Sequence, residues 1–179
     1  MKRHVALVGF MASGKSTIGR KLARKLGWAF VDTDALVVRA HGPIAAIFAN
    51  EGEAAFRRYE QAAMRAALDH AEARVIALGG GALTIAENRK LIEDRAYRVF
   101  IKLSPEQILA RVRRSHEVRP VLGSAPTLAR IRELYASRMA NYASADLIVE
   151  ASHRSDGKVI DEIVAWLSER KPGAARAAS

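Results

Sequence analysis

The sequence contains no cysteine. Without cysteine the chain forms no disulfide bond and offers no thiolate ligand to a metal ion. It also lacks an apolar run approaching the roughly 20 residues that span a bilayer. Residues 1–5 lead straight into a predicted strand and leave no room for a signal peptide. We therefore expect a cytoplasmic protein without a membrane partner.

Aromatic residues are also scarce, at 6% of the chain, whereas 29 Lys and Arg outnumber 19 Asp and Glu and give a net charge of +10. Such an excess suits a nucleic-acid binder, a site for phosphates and a carboxylate, or a solvated basic surface. The basic residues are spread along the chain and do not alternate with aromatic residues that could stack on bases. This pattern disfavours nucleic acid as the main ligand and leaves the other two interpretations open.

The chain has 179 residues, half of them apolar, which is enough for one domain with a well-buried core. We find no internal repeat and no sign of a second folded domain. A single domain is therefore expected over residues 1–170. Residues 171–179 are polar and rich in Ala, Gly and Pro, so we expect a disordered tail there.

The most informative stretch is residues 9–17, Gly-Phe-Met-Ala-Ser-Gly-Lys-Ser-Thr. It follows residues 5–8, an apolar run of strand length that is rich in Val. It precedes Ile18, Leu22 and Leu26, whose spacing places them on one face of a helix. A Gly-rich loop between a buried strand and an amphipathic helix is the context of a phosphate-binding loop.

The residue types of this loop suit a polyphosphate and a metal ion. Gly9 and Gly14 lack a Cβ atom, so backbone N–H groups can approach phosphate oxygens closely. The N-terminus of the following helix adds a partial positive charge. Lys15 is predicted to reach the terminal phosphates, and Ser16 to place its hydroxyl on Mg²⁺, which prefers oxygen ligands. The candidate nucleotide-binding residues of the loop are Ala12, Ser13, Gly14, Lys15, Ser16 and Thr17.

Short apolar segments of strand type alternate with helical segments along the chain. The predicted strands are residues 5–8, 29–31, 74–78, 97–103 and 146–149. This alternation predicts an α/β fold with a parallel sheet that helices cover on both faces. In such a sheet, ligands bind beyond the carboxyl ends of the strands.

Two of the predicted strands are followed by residues that can bind a ligand or take part in catalysis. Asp32 and Asp34 follow the second strand, where one can face a metal and the other a second substrate, or one can cap the next helix. Gly79, Gly80 and Gly81 follow the third strand. They either present N–H groups to an anion or hydroxyl, or form a flexible turn.

Arginines mark two further regions. Residues 111–120 are the most basic stretch and lead into a Pro- and Gly-containing segment, so they predict either a mobile lid, over about residues 112–125, or a solvated charge run. Arg57 and Arg58 share a predicted helix with Glu60. Taken alone, that pattern is typical of a solvated ion-pair face.

Taken in order, these pieces resemble the shikimate kinase family. The matching pieces are the Gly-rich loop, Asp32-Thr33-Asp34, Phe56-Arg57-x-x-Glu60, Gly79-Gly80-Gly81, Arg119-Pro120, and Arg138 with Tyr142 one helical turn later. The ordered set, which extends to about residue 168, carries the resemblance. It implies a three-layer P-loop NTPase fold like that of nucleoside monophosphate kinases, with a five-stranded parallel sheet in the order 2-3-1-4-5.

The resemblance also implies an activity, a cofactor and roles for single residues. The activity is transfer of the γ-phosphoryl group of ATP to the 3-hydroxyl of shikimate, in aromatic amino-acid biosynthesis, with Mg²⁺. The implied catalytic residues are Lys15, Asp34 as the acceptor of the hydroxyl hydrogen bonds and candidate base, and Arg119 on the lid. Ser16 and Asp32 are the implied metal ligands. The implied shikimate ligands are Asp34, Arg57, Gly79, Gly80, Gly81 and Arg138, and Arg111 and Arg154 resemble the positions that flank adenine.

The residues support this class of acceptor independently. An anionic, polyhydroxylated acceptor needs cations for its carboxylate and an oxygen acceptor for its hydroxyls, which Arg57, Arg138 and Asp34 supply. A nucleoside monophosphate would place its phosphate near Asp34 and is a poorer fit. Three alternatives stay open: another small-molecule kinase such as a gluconate kinase, a nucleotide-dependent binding switch, and a basic nucleic-acid-binding module. The expected assembly state is a monomer.

Overall fold

The computed structural model describes residues 2–115, 120–123 and 125–170. The strands are β1 (His4–Val8), β2 (Ala29–Asp32), β3 (Arg74–Ala77), β4 (Ala96–Lys102) and β5 (Leu147–Glu150). The helices are α1 (Lys15–Leu26), α2 (Thr33–His41), α3 (Ile44–Asn50), α4 (Gly52–Leu68), α5 (Ala86–Arg95), α6 (Pro105–Arg114), α7 (Leu128–Ala143) and α8 (Asp156–Ser168). Short 3₁₀ turns cover Ala82–Thr84 and Pro120–Leu122.

The strands form one five-stranded sheet in the order β2-β3-β1-β4-β5, and every neighbouring pair is parallel. The sheet order expected from the sequence is therefore confirmed. Because all strands run in the same direction, their carboxyl ends meet at one edge of the sheet. Asp32 pairs in register with Ala77, which brings the acidic segment after β2 beside the glycine turn after β3.

Alternate residues of the central strand β1 pack into two different cores. Val5 and Leu7 join the apolar side chains of α1, α6 and α8 on one face of the sheet. Ala6 and Val8 join those of α4 and α5 on the other face. The period of two along a strand explains this division, since successive side chains point to opposite faces. Both faces are thereby covered, as the apolar strands predict.

The helix boundaries follow capping chemistry that is visible in the sequence. The Ser104 hydroxyl accepts a hydrogen bond from Gln107 N–H at 3.3 Å, and Pro105 fills the first position of α6. Ser155 caps α8 in the same way. Gly27 ends α1 in a left-handed conformation with φ of 67°. Each of these boundaries is set by residues close together in the chain.

Helices α2, α3 and α4 build a small third core beside the carboxyl edge of the sheet. Val37, Ile47 and Phe56 are its buried members. His41 stacks on Tyr59 with ring centroids 3.7 Å apart, which joins the end of α2 to α4. The resemblance also predicts a substrate-binding segment over about residues 33–61, which corresponds to α2, α3 and the first half of α4.

The predicted lid is described only in part. Residues 112–114 complete α6, and Leu122 in the second 3₁₀ turn is buried in the core with β1. Arg119 and the predicted tail, residues 171–179, lie outside the described residues, so the predictions made for them stay predictions. Among the helices that the structure describes, none combines the length and apolar character needed to cross a membrane.

Candidate active site

The Gly-rich loop has the backbone conformation that its glycines predict. Gly9 and Gly14 have φ of 145° and 97°, values that side-chain-bearing residues rarely adopt. A Cβ atom at Gly9 would lie 2.7 Å from the Ile101 carbonyl oxygen, so the close approach of the loop to β4 also requires glycine. Ala12 shares the left-handed region with φ of 58°. The loop thus exposes backbone N–H groups in a curved arrangement suited to phosphate oxygens.

Lys15 opens α1 directly after this loop. Its side chain is largely buried, and its ammonium donates hydrogen bonds to the Gly9 and Phe10 carbonyl oxygens at 3.0 and 2.8 Å. No side chain of the described residues caps the N-terminus of α1 at Gly14. The first N–H groups of the helix can therefore bind an anion, next to the cation of Lys15.

Ser16 and Asp32 meet across the cleft, although they come from different elements. The Ser16 hydroxyl donates to Asp32 Oδ2 at 2.5 Å. The other oxygen, Asp32 Oδ1, accepts from the N–H groups of Asp34 and Ala35 at 3.1 and 3.2 Å and caps α2. Asp32 thus caps α2 through one oxygen, as one interpretation of the sequence predicts, and accepts the Ser16 hydrogen bond through the other, while its role as a metal ligand stays a prediction.

Asp34 lies against the glycine turn, together with the buried carboxylate of Glu60. A Cβ atom at Gly79 would lie 2.7 Å from Asp34 Oδ1 and would also collide with Glu60 Oε1. Gly79 therefore occupies the gap between two carboxylates, where even a methyl group does not fit. The Gly79 N–H donates to the Thr33 hydroxyl at 3.1 Å, which in turn donates to the Ala77 carbonyl at 3.3 Å. This N–H group is thus used within the protein.

Glu60 fixes Arg57 beside the same turn. Glu60 is 1% exposed, and burial raises the pKa of its carboxyl group, an effect that the nearby Arg57 opposes. Arg57 donates to Glu60 Oε2 and to Glu53 Oε1, each at 2.8 Å. Its guanidinium would lie 2.5 Å from a Cβ atom at Gly81, whereas Arg58 is exposed.

Arg138 reaches the glycine turn from α7. It is buried, and its Nη1 donates to the Gly80 carbonyl oxygen at 3.0 Å. The guanidinium lies 5.4 Å from the centroid of the Phe10 ring, which makes a cation–π contact. The hydroxyl of Tyr142, one turn further along α7, donates to the same carbonyl at 2.7 Å.

The phosphate-binding loop, Asp32, Asp34 and Gly80 border a cavity of about 690 Å³ at the carboxyl edge of the sheet, whereas Arg57 and Arg138 contact the glycine turn and are not among its lining residues. Lys15, Ser16, Asp32, Asp34, Gly80 and Arg111 are among its lining residues. Ala35, Val38 and Arg39 form the α2 side of its wall, at positions that share one helical face. The cleft therefore joins a phosphate-binding half to a half that carries Asp34.

Comparison with known families agrees with this geometry. The family model for shikimate kinase matches residues 11–168. The chain belongs to the shikimate kinase family. A shikimate kinase from Geobacter sulfurreducens is 40% identical over 170 residues, which cover 94% of this chain and 93% of the relative. A shikimate kinase from Moorella thermoacetica is 40% identical over 177 residues, which cover 93% of this chain and 98% of the relative.

Solved structures of the shikimate kinase family share the fold. Shikimate kinase from Acinetobacter baumannii in complex with shikimate superposes with a TM-score of 0.89 at 31% identity, covering 96% of both chains. Shikimate kinase from Aquifex aeolicus gives a TM-score of 0.81 at 34% identity, covering 95% of this chain and 99% of that one. A gluconokinase from Sinorhizobium meliloti, at 20% identity and a TM-score of 0.63, covers 94% of this chain and shares the fold alone.

The two arginines that resemble the adenine-flanking positions of shikimate kinases lie in different surroundings. Arg111 lines the cleft and donates to the Ala12 carbonyl oxygen of the loop at 3.2 Å. Arg154 donates to the Glu150 carbonyl at 3.0 Å and to Glu162 at 2.6 Å, which ties the end of β5 to α8. Arg154 is not among the residues that line the cleft.

Several residues of the site received no role from the sequence. They are Thr33, Arg39, Glu60 and Tyr142. Glu60 was visible as the acid three residues after Arg57, and Tyr142 as the tyrosine one turn after Arg138. Thr33 carried no comparable signal, because its importance comes from the pairing of β2 with β3.

Gly79→Ala is expected to lower turnover about 100-fold, because the new methyl group forces Asp34 and Glu60 apart and displaces Asp34, the acid that the resemblance implies as a catalytic residue. Steady-state kinetics with ATP and shikimate measure the effect. Gly157→Ala is the matched control, since a Cβ atom there meets only the Ser155 hydroxyl oxygen, at 4.0 Å. Wild-type turnover in Gly79→Ala would show that the gap between the carboxylates is unimportant.

Proposed function

We propose that the cleft transfers the γ-phosphoryl group of ATP to the 3-hydroxyl of shikimate and releases shikimate 3-phosphate and ADP. Membership of the shikimate kinase family makes the chain an enzyme that phosphorylates shikimate with ATP, in aromatic amino-acid biosynthesis. One observation carries the assignment to this cleft. A phosphate-binding loop, Asp34, and two arginines that flank a glycine turn converge at one edge of the sheet.

The loop and the start of α1 bind the triphosphate of ATP. Ala12 and residues 14–17 line the cleft and supply N–H groups, and Lys15 supplies a cation for the β- and γ-phosphates. Arg111 extends the basic lining towards the base and ribose. A role for Arg154 beside adenine rests on the family resemblance alone.

Ser16 and Asp32 are the residues that would hold Mg²⁺. Their oxygens lie 2.5 Å apart in the wall of the cleft, and hard oxygen donors suit this cation. No group of three or more His, Cys, Asp or Glu side chains that could hold a metal occurs among the described residues. Phosphate and water oxygens would therefore complete the coordination, as is common for Mg²⁺. When bound, the cation neutralises charge on the transferring phosphoryl group.

The acceptor occupies the side of the cleft with Asp34 and the glycine turn. Arg57 and Arg138 bind its carboxylate, since each guanidinium has donors beyond those used within the protein. Asp34 accepts hydrogen bonds from the ring hydroxyls. Gly80 and Gly81 present backbone N–H groups, whereas Gly79 shapes the gap beside Asp34.

Phosphoryl transfer in this arrangement requires positioning and charge stabilisation. The 3-hydroxyl oxygen of the acceptor forms a bond to the γ-phosphorus while the bond from that phosphorus to the β-phosphate bridging oxygen breaks. The hydroxyl proton passes to Asp34. Lys15 and, by resemblance, Arg119 of the lid stabilise the negative charge on the phosphoryl oxygens.

We propose a cytoplasmic monomer whose ligands are the two small substrates, without a nucleic-acid or membrane partner. Arg39 and Arg111 account for part of the basic excess within the cleft.

The function is tested by ADP release from Mg²⁺ and ATP in the presence of shikimate, gluconate or a nucleoside monophosphate. Shikimate is expected to stimulate turnover far more than the other acceptors. The phosphorylated position is then identified from the ³¹P–¹H coupling of the product. Stronger stimulation by gluconate or by a nucleoside monophosphate would contradict the substrate assignment, and phosphate on another hydroxyl would contradict the 3-position.

Arg138→Ala is expected to raise KM for shikimate about 10- to 150-fold, the range of a hydrogen bond to a charged group, and to leave KM for ATP unchanged. Arg132→Ala is the control on the same helix, because Arg132 is exposed and pairs with Glu106. Initial-rate measurements in both substrates separate the two constants. A similar loss of affinity for ATP and shikimate would remove the assignment of Arg138 to the carboxylate.

A further inference from the structure

The Gly80 carbonyl oxygen accepts two hydrogen bonds from the same helix. Arg138 Nη1 donates at 3.0 Å, and the Tyr142 hydroxyl donates at 2.7 Å. A carbonyl oxygen has two lone pairs, so both are used by donors of α7. Because residues 79–81 have no side chains of their own to anchor the turn, these two hydrogen bonds constrain the orientation of the Gly80 carbonyl.

Tyr142 is the more firmly placed of the two donors. Its side chain is 2% exposed, and its ring stacks on Phe100 of β4 with centroids 4.8 Å apart and an angle of 23° between the planes. Burial raises the pKa of Tyr142 to about 12, so its hydroxyl keeps the proton that it donates. Arg138, in contrast, must also serve the carboxylate of the acceptor.

The geometry of the peptide bond extends this constraint to a second group. The described residues contain no cis peptide bond. In a planar trans peptide the C=O of Gly80 and the N–H of Gly81 point in opposite directions. Whatever fixes the Gly80 carbonyl therefore also fixes the direction of the Gly81 N–H.

The two peptides of the glycine turn are held by different parts of the protein. The Gly79 carbonyl accepts from Ala82 N–H at 3.1 Å, a local hydrogen bond within the turn. The Gly80–Gly81 peptide depends on α7 instead. Within the part of the chain that the structure describes, the N–H groups of Gly80 and Gly81 donate no hydrogen bond to the protein. Gly80 lines the cleft, so its N–H group is available to a ligand, whereas Gly81 is buried beside the Arg57 guanidinium.

We propose that Tyr142 is a positioning residue for the acceptor site: its hydroxyl holds the Gly80–Gly81 peptide in the orientation that shikimate binding requires. This inference rests on the proposed function of the cleft. Tyr142 acts through the glycine turn and through the shared carbonyl. When Arg138 turns its donors to the acceptor, the Tyr142 hydroxyl keeps the peptide in place.

Tyr142→Phe removes the hydroxyl and keeps the ring that stacks on Phe100. We expect KM for shikimate to rise about 3- to 10-fold, the size of one ordinary hydrogen bond, with KM for ATP unchanged and kcat within about twofold. Tyr97→Phe is the matched control, because Tyr97 packs edge-on against Trp166 outside the cleft, with centroids 5.6 Å apart. It should leave both KM values at the wild-type level.

Two further measurements separate positioning from general stability. Tyr142→Met also lacks the donor, fills much of the buried volume, and should reproduce the selective rise in KM. In ¹⁵N–¹H spectra, the amide resonances of Gly80 and Gly81 should shift in Tyr142→Phe and stay in place in Tyr97→Phe. Thermal unfolding of each variant shows whether the fold is retained.

The outcomes distinguish this inference from the function on which it rests. Unchanged KM for shikimate in both Tyr142 variants, or an equal rise of KM for ATP and shikimate, would overturn the positioning role. Wild-type protein that releases no ADP in response to shikimate would instead overturn the proposed function. A selective rise in KM together with shifted glycine amides would establish the role.

Discussion

Lys15→Met is expected to reduce phosphoryl transfer by on the order of 10³-fold or more, since the charge on the transferring group then loses a preorganised cation. Lys15 lines the cleft at the first position of α1, and its ammonium already lies at the loop, 3.0 Å from the Gly9 carbonyl oxygen. The methionine side chain is about as long as that of lysine and resembles its apolar methylene stem, but it carries no charge. The substitution therefore tests the cation and keeps most of the packing.

The measurement is ADP release at saturating shikimate, with thermal unfolding to show that the variant is folded. Lys21→Met is the control, since Lys21 lies on the same helix but pairs with Asp156 on the surface. Its turnover should stay close to that of the wild type. Turnover within about tenfold of the wild type in Lys15→Met would mean that the phosphates are bound elsewhere.

Asp34→Asn is expected to lower kcat by roughly 10²–10⁴-fold if Asp34 takes the hydroxyl proton. Asparagine has nearly the same shape and can still accept hydrogen bonds from the acceptor, but it is not a base. KM for shikimate should therefore change much less than kcat. The position is constrained, because the carboxylate fits against Gly79 beside Glu60.

Steady-state kinetics over a range of shikimate concentrations measure both constants. Asp94→Asn is the control, because it makes the same Asp-to-Asn change at an exposed residue of α5 that pairs with Lys90. A loss of kcat below about tenfold, combined with a large rise in KM, would leave Asp34 as a binding group. Phosphoryl transfer would then proceed without a protein base, in line with a loose transition state.

Much of the fold was predictable because its signals are local. The Val-rich run before Gly9 and the four-residue spacing of Ile18, Leu22 and Leu26 predict β1 and α1 from adjacent residues alone. The helix starts at Ser104 and Ser155 are likewise local capping interactions. Each of these features involves residues close together in the chain, so no tertiary information was needed.

Asp32 shows the limit of this kind of reasoning. The residues around it allow a helix cap or a metal ligand, and the pattern cannot separate the two. In the structure, Oδ1 caps α2 while Oδ2 receives the Ser16 hydroxyl, 16 residues away in the chain. The contact with Ser16 depends on the placement of β2 relative to α1, which no local pattern specifies.

Arg57 and Arg58 show the same limit on a helix. Adjacent residues on a helix lie about 100° apart, so one of them can face the glycine turn while the other faces solvent. The buried Glu60 and the nearby Gly81 receive Arg57, whereas Arg58 is exposed. Only the packing of α4 against the glycine turn makes this difference.

The sequence by itself determined the alternation of strands and helices and the phosphate-binding loop, because both are encoded in neighbouring residues. Tertiary structure alone decided that Glu60 pairs with Arg57 beside the glycine turn and that Tyr142 donates to the Gly80 carbonyl. It also decided that Gly79 lies between the carboxylates of Asp34 and Glu60. These contacts join residues that are far apart in the chain, and they form only because parallel strands bring their carboxyl ends to one edge.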